Sequence, residues 1–436
     1  MAYQGIFKKK KITVMGLGLL GRGVGDAKFL AEQGAELIVT DLKDEQALAE
    51  SLAELAPYKD ITYRLGGHDL ADFKERDFIL KAAGVPLNSP YIAEARKNGI
   101  PVKMSASWFA EIARIPLVGV TGTRGKSTTT HLIYEIMKAS GMDVLLGGNV
   151  QGVSTLAFLP RVTDESIALM ELDSWQCQGF GEAKLSPNIS VFTTFMPDHL
   201  NYYRNMDAYL EDKAQIFLHQ KPEDTLIAGE EVTALLKEKY GRMIVSHLIT
   251  ASASKFPKGW TLSIPGAHNK LNAQCAIEAA RVLGIDEEII KRAVENFTSV
   301  PGRLEFVREL RGVRIYNDTT ATTPEATIAA LEALDPEGKK NIILIAGGTD
   351  KGLDISKLPR AIEAHAKEVF YLSGTGTARL PGVSRTYDAI APALKGAIAT
   401  AAKGDILLFS PAFTSFGMFK NEFDRGRQFT ELLETL

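Results

Sequence analysis

The side chains best suited to chemistry lie where an apolar run, Val118-Gly119-Val120, meets the turn Thr121-Gly122-Thr123-Arg124-Gly125-Lys126-Ser127-Thr128. Gly122 and Gly125 allow a tight bend that aims successive backbone N–H groups inward. Lys126 adds a fixed positive charge, and a hydroxyl from Ser127 or Thr128 suits a magnesium ion. This is the composition of a phosphate-binding loop, and the ligand it implies is a nucleoside triphosphate. The common spacing places glycine where Val120 stands; here the glycines fall at Gly119 and Gly122, so a variant loop is expected. The strand before it and the helical sequence from Thr128 to Lys138 favour a phosphate site over an unliganded turn.

Downstream, Ser166 to Met170 reads as a buried strand that delivers Glu171 to its carboxyl end, followed by Leu172-Asp173-Ser174-Trp175-Gln176. Nucleotide hydrolases place a magnesium-holding acid at such a position, whereas Asp173 also suits a helix start. A strand from Ile189 to Thr194 precedes Met196-Pro197-Asp198-His199-Leu200-Asn201, and the next helix carries Lys213. Taken alone, a histidine in a turn is more often structural than a ligand, and Lys213 reads as a solvated helix face. Asn269 and Asn272 open an alanine-rich helix; their amides suit an adenine edge and equally cap helices. Strands Val313 to Tyr316, Lys340 to Ala346, Glu368 to Leu372 and Asp405 to Phe409 follow. They deliver Asn317-Asp318, the turn Gly347 to Gly352, and Ser410-Pro411-Ala412-Phe413-Thr414-Ser415. Lys351 and Ser415 on these loops suit a small carboxylate, though the loops read equally as ordinary polar surface.

At the amino end, strand Lys11 to Met15 runs into Gly16-Leu17-Gly18-Leu19-Leu20-Gly21, a helix continues through Gln33, and strand Glu36 to Thr40 ends in Asp41. This is a Rossmann-like unit. Its glycines admit a diphosphate to the helix N-terminus, and its acid suits ribose hydroxyls. UDP carries ribose and diphosphate just as NAD does, so the motif does not choose between them. Strand Phe78 to Lys81 leads to Ala82-Ala83-Gly84-Val85-Pro86 and a helix from Pro90 to Asn98, a loop at the edge where open α/β sheets collect ligands.

Strand and helix alternate throughout, which places the chain in the α/β class. At 436 residues two or three domains are expected. Hydrophobic residues at 45% and charged ones at 24% are a soluble globular balance, and a net charge of -3 gives no reason to expect nucleic acid. The run Lys8 to Lys11 is a solvated strand entry. Cys177 and Cys275 make no disulfide framework and have no partners at metal-ligand spacing. No secretion signal or bilayer-spanning run is read, so a cytoplasmic protein is expected, without membrane partners.

Together these motifs, with Arg303, resemble the Mur ligases of peptidoglycan synthesis over nearly the whole chain. Within that family the pattern is most similar to the branch that adds D-glutamate to UDP-N-acetylmuramoyl-L-alanine. The resemblance implies three α/β domains: a Rossmann-like UDP-sugar domain over 1–104, a central P-loop ATPase-like domain with a mainly parallel sheet over 105–299, and a Rossmann-like amino-acid domain over 300–436 that closes with its substrate. It moves the amino-terminal motif from NAD to UDP. Leu19, Leu20, Asp41 and Gly84 would then lie on uridine diphosphate, with Asn149 and His199 nearer the muramoyl-alanine. Gly122, Thr123, Arg124, Gly125, Lys126, Ser127, Thr128, Asn269, Asn272, Arg303 and Asp318 would serve ATP. Ser127, Glu171, His199 and Lys213 would hold Mg2+, with Lys126, His199 and Lys213 catalytic. Thr322, Lys351 and Ser415 would face D-glutamate.

Lys213 matches the family's carbamylated lysine, a change that would turn an ammonium into an oxygen ligand. Arg124, Ala82-Ala83, Thr320 and Gly417 depart from the family's usual asparagine, Ser-Pro, lysine and aspartate. A monomer is expected. The rival readings are a sister ligase using another amino acid or acceptor, and an NAD-dependent oxidoreductase, which would leave the Lys126 loop idle.

Overall fold

Short apolar runs rich in Val, Ile and Leu, flanked by glycine and polar residues, become strands covered on both faces. A computed structural model describes residues 3–19, 21–199 and 202–435, so Leu20 lies outside the described residues. Strands β1 (Lys11–Met15), β2 (Glu36–Asp41), β3 (Ile61–Leu65), β4 (Phe78–Lys81) and β5 (Val102–Lys103) form a parallel sheet in the order β3-β2-β1-β4-β5. A second parallel sheet contains β6 (Leu117–Thr121), β7 (Val144–Gly148), β8 (Ile167–Glu171), β9 (Ile189–Phe192), β10 (Thr225–Gly229) and β11 (His247–Ala251), in the order β11-β10-β9-β6-β8-β7. In each, one strand sits where the order reverses: β1 lies between β2 and β4, and β6 between β8 and β9. Crevices for ligands open at the carboxyl ends of such strands.

The third sheet runs β12-β13-β17-β14-β15-β16, from β12 (Glu305–Leu310), β13 (Val313–Asn317), β14 (Ile342–Gly347), β15 (Ala366–Leu372), β16 (Thr386–Tyr387) and β17 (Ile406–Phe409). Alternate residues enter different cores: Ile342, Leu344, Ala346, Ile406 and Leu408 on one face, Ile343, Ile345, Leu407 and Phe409 on the other. Its edge strand β12 is antiparallel. The connection to β13 is Arg311-Gly312, both at positive φ (53° and 79°), the twist that lets two residues close a hairpin. Arg-Gly is a weak signal for such a turn, and the sequence reading passed over this strand.

The chain packs as two compact units, Met1–Lys255 with Gln274–Ile290, and Phe256–Ala273 with Lys291–Leu436. The first holds two of the sheets around one continuous apolar core that runs from Tyr3 to Leu236 and includes Phe7, Trp108, Phe109, Leu156 and Phe180. No helix among the described residues is long and apolar enough to cross a membrane.

Candidate functional site

Strand β6 is buried along its whole length, and the chain leaves it through Gly122 at φ 147°. A β-carbon at Gly122 would stand 2.0 Å from Thr193 Oγ1, so only glycine fits there. The helix Lys126–Ala139 begins at once, with Gly125 at its N-cap and no side chain capping it, the arrangement in which a helix N-terminus suits an anion. The sequence reading ran β9 through Thr194, but the strand ends at Phe192. The next two threonines instead grip the loop: Thr193 Oγ1 and Thr194 Oγ1 donate to Arg124 O at 2.5 and 3.1 Å, and Arg124 N donates to Thr194 Oγ1 at 2.9 Å. Arg124 Nη1 meets Asp198 Oδ2 at 2.9 Å, so the departure at position 124 ties the loop to the His199 turn.

Two amines converge on one carbonyl. Lys126 Nζ donates to Gly122 O at 3.0 Å, and Lys213 Nζ donates to the same oxygen at 2.9 Å. Lys213 is 1% exposed, which corrects the reading of its helix face as solvated. The helix Met206–Ala214 buries Tyr209, Leu210, Lys213 and Ala214, and the amine lies 4.9 Å from the centre of the Tyr209 ring. Burial, and next the Lys126 charge, push the Lys213 amine down to about 7. Near pH 7 a substantial share of such an amine is neutral, and the neutral form is the nucleophile.

Glu171 ends β8 and pairs with Val120 on one side and Gly148 on the other, which brings it to the base of the loop. Its Oε1 accepts from Asn149 Nδ2 at 3.1 Å, and Asn149 Oδ1 accepts from Arg22 Nη1 at 2.6 Å. His199, at φ 53°, packs its ring on Trp175 (4.8 Å) and Tyr209 (6.1 Å). A non-glycine residue in that backbone region stores strain of the kind found at functional turns. Among the described residues no three His, Cys, Asp or Glu side chains form a ready metal cluster. Magnesium does not need one, because it keeps waters and binds one or two carboxylates together with phosphate oxygens. A buried Glu171 beside an uncapped phosphate loop fits that requirement.

At the carboxyl ends of β1 and β4 lies a cavity of about 170 Å³, lined among others by Gly18, Leu19, Arg22, Lys81 and Gly84. Leu19 and Gly84, which the sequence analysis places on uridine diphosphate, both line it. Asp41 accepts from Gly18 N at its Oδ2 (3.0 Å) and from Lys43 N at its Oδ1 (2.9 Å), one bond on each oxygen. It shapes the glycine turn from behind. Lys81, 2% exposed, donates to Val85 O at 3.0 Å and reaches Ala82 O and Ala83 O at 3.4 Å. It binds up the loop in which Ala82-Ala83 replaces Ser-Pro; burial pushes its amine down to about 8. Arg22 and Lys81 were missed in the sequence. A lysine closing the apolar run Phe78-Ile79-Leu80 was the signal for one; the other had none beyond following Gly21.

In the second unit Asn269 donates to Pro265 O at 2.7 Å and Asn272 donates to Asn269 Oδ1 at 3.1 Å, so the pair is locally fixed. Asp318 is buried, accepting from Leu304 N (2.9 Å) and Ser410 Oγ (2.7 Å). Burial drives its carboxyl up to about 7 against those bonds and against Arg303 and Arg425. Thr322 and Lys351 meet at 3.3 Å and both line a shallow crevice with Pro324, Asp350, Ala412 and Phe413. Ser415 is buried, on the loop that the Thr349–Thr414 bridge holds beside β14. Thr320 Oγ1 donates to Gly302 O at 2.9 Å, and Gly417 adopts φ 92°. The sequence reading missed Arg425, 0% exposed, which donates to Thr319 O (2.7 Å), Thr319 Oγ1 (3.2 Å) and Phe413 O (3.1 Å). It clamps together the two loops that carry Thr322 and Ser415, and nothing local in a polar helix announces it.

Family models match along the chain: the Mur ligase MurD-like N-terminal domain over residues 10–104, the Mur ligase middle domain over 120–259, and the Mur ligase glutamate ligase domain over 302–413. The chain is 37% identical to the UDP-N-acetylmuramoylalanine--D-glutamate ligase of Roseiflexus sp. (strain RS-1), covering 98% of both chains. It is 34% identical to the protein of the same name from Borreliella burgdorferi (strain ATCC 35210), again covering 98% of each. Among solved structures, the UDP-N-acetylmuramate-alanine ligase MurC of Thermotoga maritima superposes with a TM-score of 0.62 at 19% identity, over 98% of this chain and 99% of that one. The MurF ligase of Thermotoga maritima in complex with ADP gives 0.58 at 18% identity, over 84% of this chain and 96% of that one. These structural likenesses concern the fold.

Proposed function

We propose that this chain, which belongs to the Mur ligase family, is the member that joins D-glutamate to UDP-N-acetylmuramoyl-L-alanine with cleavage of ATP. The nicotinamide reading of the Gly16 to Gly21 turn is set aside by that membership. The reading assigns the sugar nucleotide to residues 1–104, ATP to 105–299 and D-glutamate to 300–436, in a monomer working in the cytoplasm. The observation that supports it best is the meeting of Lys126 and Lys213 at Gly122 O beside Glu171, in a chain whose full-length relatives carry that ligase's name.

The alanine carboxylate attacks the γ-phosphorus of ATP, ADP departs, and the carboxyl becomes an acyl phosphate. The amine of D-glutamate adds to that carbonyl, loses a proton, and the tetrahedral centre collapses to the amide with release of phosphate. Lys126 turns from Gly122 O and Thr123 O, where it rests at 3.0 and 3.1 Å, onto the phosphate oxygens. The N–H groups at the start of its helix meet charge that grows as the phosphoryl group moves. Lys213 takes up carbon dioxide at its neutral amine and releases a proton, becoming a carbamate. Glu171, Ser127, the carbamate and the His199 turn are the groups that would hold magnesium, which when bound offsets phosphoryl charge. Lys351, with Thr322, meets a carboxylate of D-glutamate. Excluding water from the acyl phosphate is what separates a ligase from an ATPase.

Phosphate release measured with UDP-N-acetylmuramoyl-L-alanine and a panel of amino acids tests this. Release that requires D-glutamate supports it. Release with L-alanine and the bare muramoyl sugar favours a sister ligase, and release without any amino acid contradicts amide formation.

A further inference from the structure

Arg22 opens the helix Arg22–Glu32, lines the cavity at the end of β1, and also donates from Nη1 to Asn149 Oδ1 at 2.6 Å across 127 residues of sequence. Asn149 is held twice by Glu171: its backbone N donates to Glu171 O at 2.6 Å and its Nδ2 donates to Glu171 Oε1 at 3.1 Å. The chemistry of the chain Arg22–Asn149–Glu171 runs in one direction only. A guanidinium has donors and no acceptor, an ionised carboxylate has acceptors and no donor, and an amide has one end of each kind. The amide oxygen must therefore face Arg22 and the amide nitrogen Glu171. Glu171 alone disfavours the turned amide, whose oxygen would face the carboxylate; Arg22 holds the other end of the same amide, so the two contacts together fix its position as well as its sense.

We infer that Arg22 is a positioning residue that links the sugar-nucleotide cavity to the magnesium carboxylate: its Nη1 orients Asn149 and thereby Glu171, and its other N–H groups bind the diphosphate. The guanidinium stands beside a helix N-terminus that no side chain caps, with Gly21 at the N-cap and Gly18 and Leu19 on the cavity wall, so a diphosphate there meets helix N–H groups and a forked cation together. Occupation of the cavity then tightens the grip on Asn149 and holds Glu171 ready for the metal. The inference rests on the ligase reading for the identity of both ligands.

Two variants of the full-length protein separate the two roles. Arg22→Met removes both, whereas Arg22→Gln, whose amide stops short of where Nη1 stands, can still donate to Asn149 Oδ1 through a bridging water but carries no charge. Binding of UDP is titrated in EDTA, and binding of ADP with and without magnesium. Arg22→Met is expected to weaken UDP by about tenfold or more, the scale of one charge-assisted contact. It should also lose the gain in ADP affinity that magnesium gives, with metal-free ADP affinity unchanged. Arg22→Gln is expected to weaken UDP to a similar degree and keep the magnesium gain. Wild-type UDP affinity in either variant overturns the diphosphate contact, and a magnesium gain intact in Arg22→Met overturns the link to Glu171. Should Arg22→Met fail to fold by thermal melting, Arg22→Gln decides: UDP weakened with the gain intact supports the inference, and any other pair overturns it. Failure of the D-glutamate reading would show separately, in wild-type phosphate release, since these titrations need no turnover.

Discussion

Asp26 offers a test in which the sign and size of an effect follow from geometry. Its Oδ1 accepts from Ser105 Oγ and Ser154 Oγ, both at 2.6 Å. Those hydroxyls accept in turn from Leu156 N and Ala157 N, each at 3.1 Å. One carboxylate thus ties a helix of the first sheet to the segment before β6 and the segment after β7. Burial raises its carboxyl from 3.8 to about 6, with the two hydroxyls and Arg22 pulling the other way. Because the folded value lies above the unfolded one, the folded state binds more protons between those pH values. The stabilisation is complete below pH ~4 and is lost as pH rises through about 6. A shift of roughly two units corresponds to about 3 kcal/mol, and at about 2 °C per kcal/mol for a unit of this size the change in melting temperature is about 6 °C. Asp26→Asn has nothing to ionise. The melting temperature of the wild type minus that of Asp26→Asn is therefore expected to fall by about that amount from pH 4 to pH 7 and to stay level above. A pH-independent difference would refute the reasoning. Asp26→Ala, which strands two hydroxyls, is expected to be less stable than Asp26→Asn by about 1–3 kcal/mol at every pH.

Gly122→Ala places a methyl group against Thr193 Oγ1 and Thr194 N at a φ that disfavours any side chain, so ADP affinity should drop at least about tenfold; isothermal titration reads it directly. Lys213→Ala removes the amine from Gly122 O, and turnover is expected to fall by about 10²–10³ or more, with partial recovery on adding formate or acetate; unaltered rates with or without the added carboxylate would sink the carbamate assignment. Arg425→Met leaves Thr319 O and Phe413 O without their buried donor, and the second unit should lose about 3 kcal/mol or more in urea unfolding, read by hydrogen exchange in β13 and β17.

The strands that matter were legible because apolar runs end abruptly in glycine or a charge. Lys11–Met15 and Phe78–Lys81 are as the sequence reads, and Glu171 stands at the end of its strand. The turn after β6 was legible from its glycines, and packing accounts for one of them, since Thr193 leaves no room for a side chain at Gly122. What stayed hidden depends on residues far apart in sequence. Lys213 looked solvated, although Tyr209 four residues earlier shares its face and Leu210 and Ala214 flank it, an apolar stripe that signals burial. Arg22 with Asn149, and Arg425 with Thr319 and Phe413, carry no local signature, since neither partner can be named before the sheets are assembled. That the two oxygens of Asp41 also hold the backbone of Gly18 and Lys43 was equally hidden, since it depends on how tightly the glycine turn folds back.

The route of one oxygen atom tests the ligase account most directly. If the alanine carboxylate of UDP-N-acetylmuramoyl-L-alanine captures the γ-phosphoryl group before D-glutamate arrives, substrate labelled with 18O in that carboxylate should pass one labelled oxygen to each phosphate released, as read by mass spectrometry. Phosphate free of label, formed alongside the amide or without it, would mean that the carboxylate never carried the phosphoryl group.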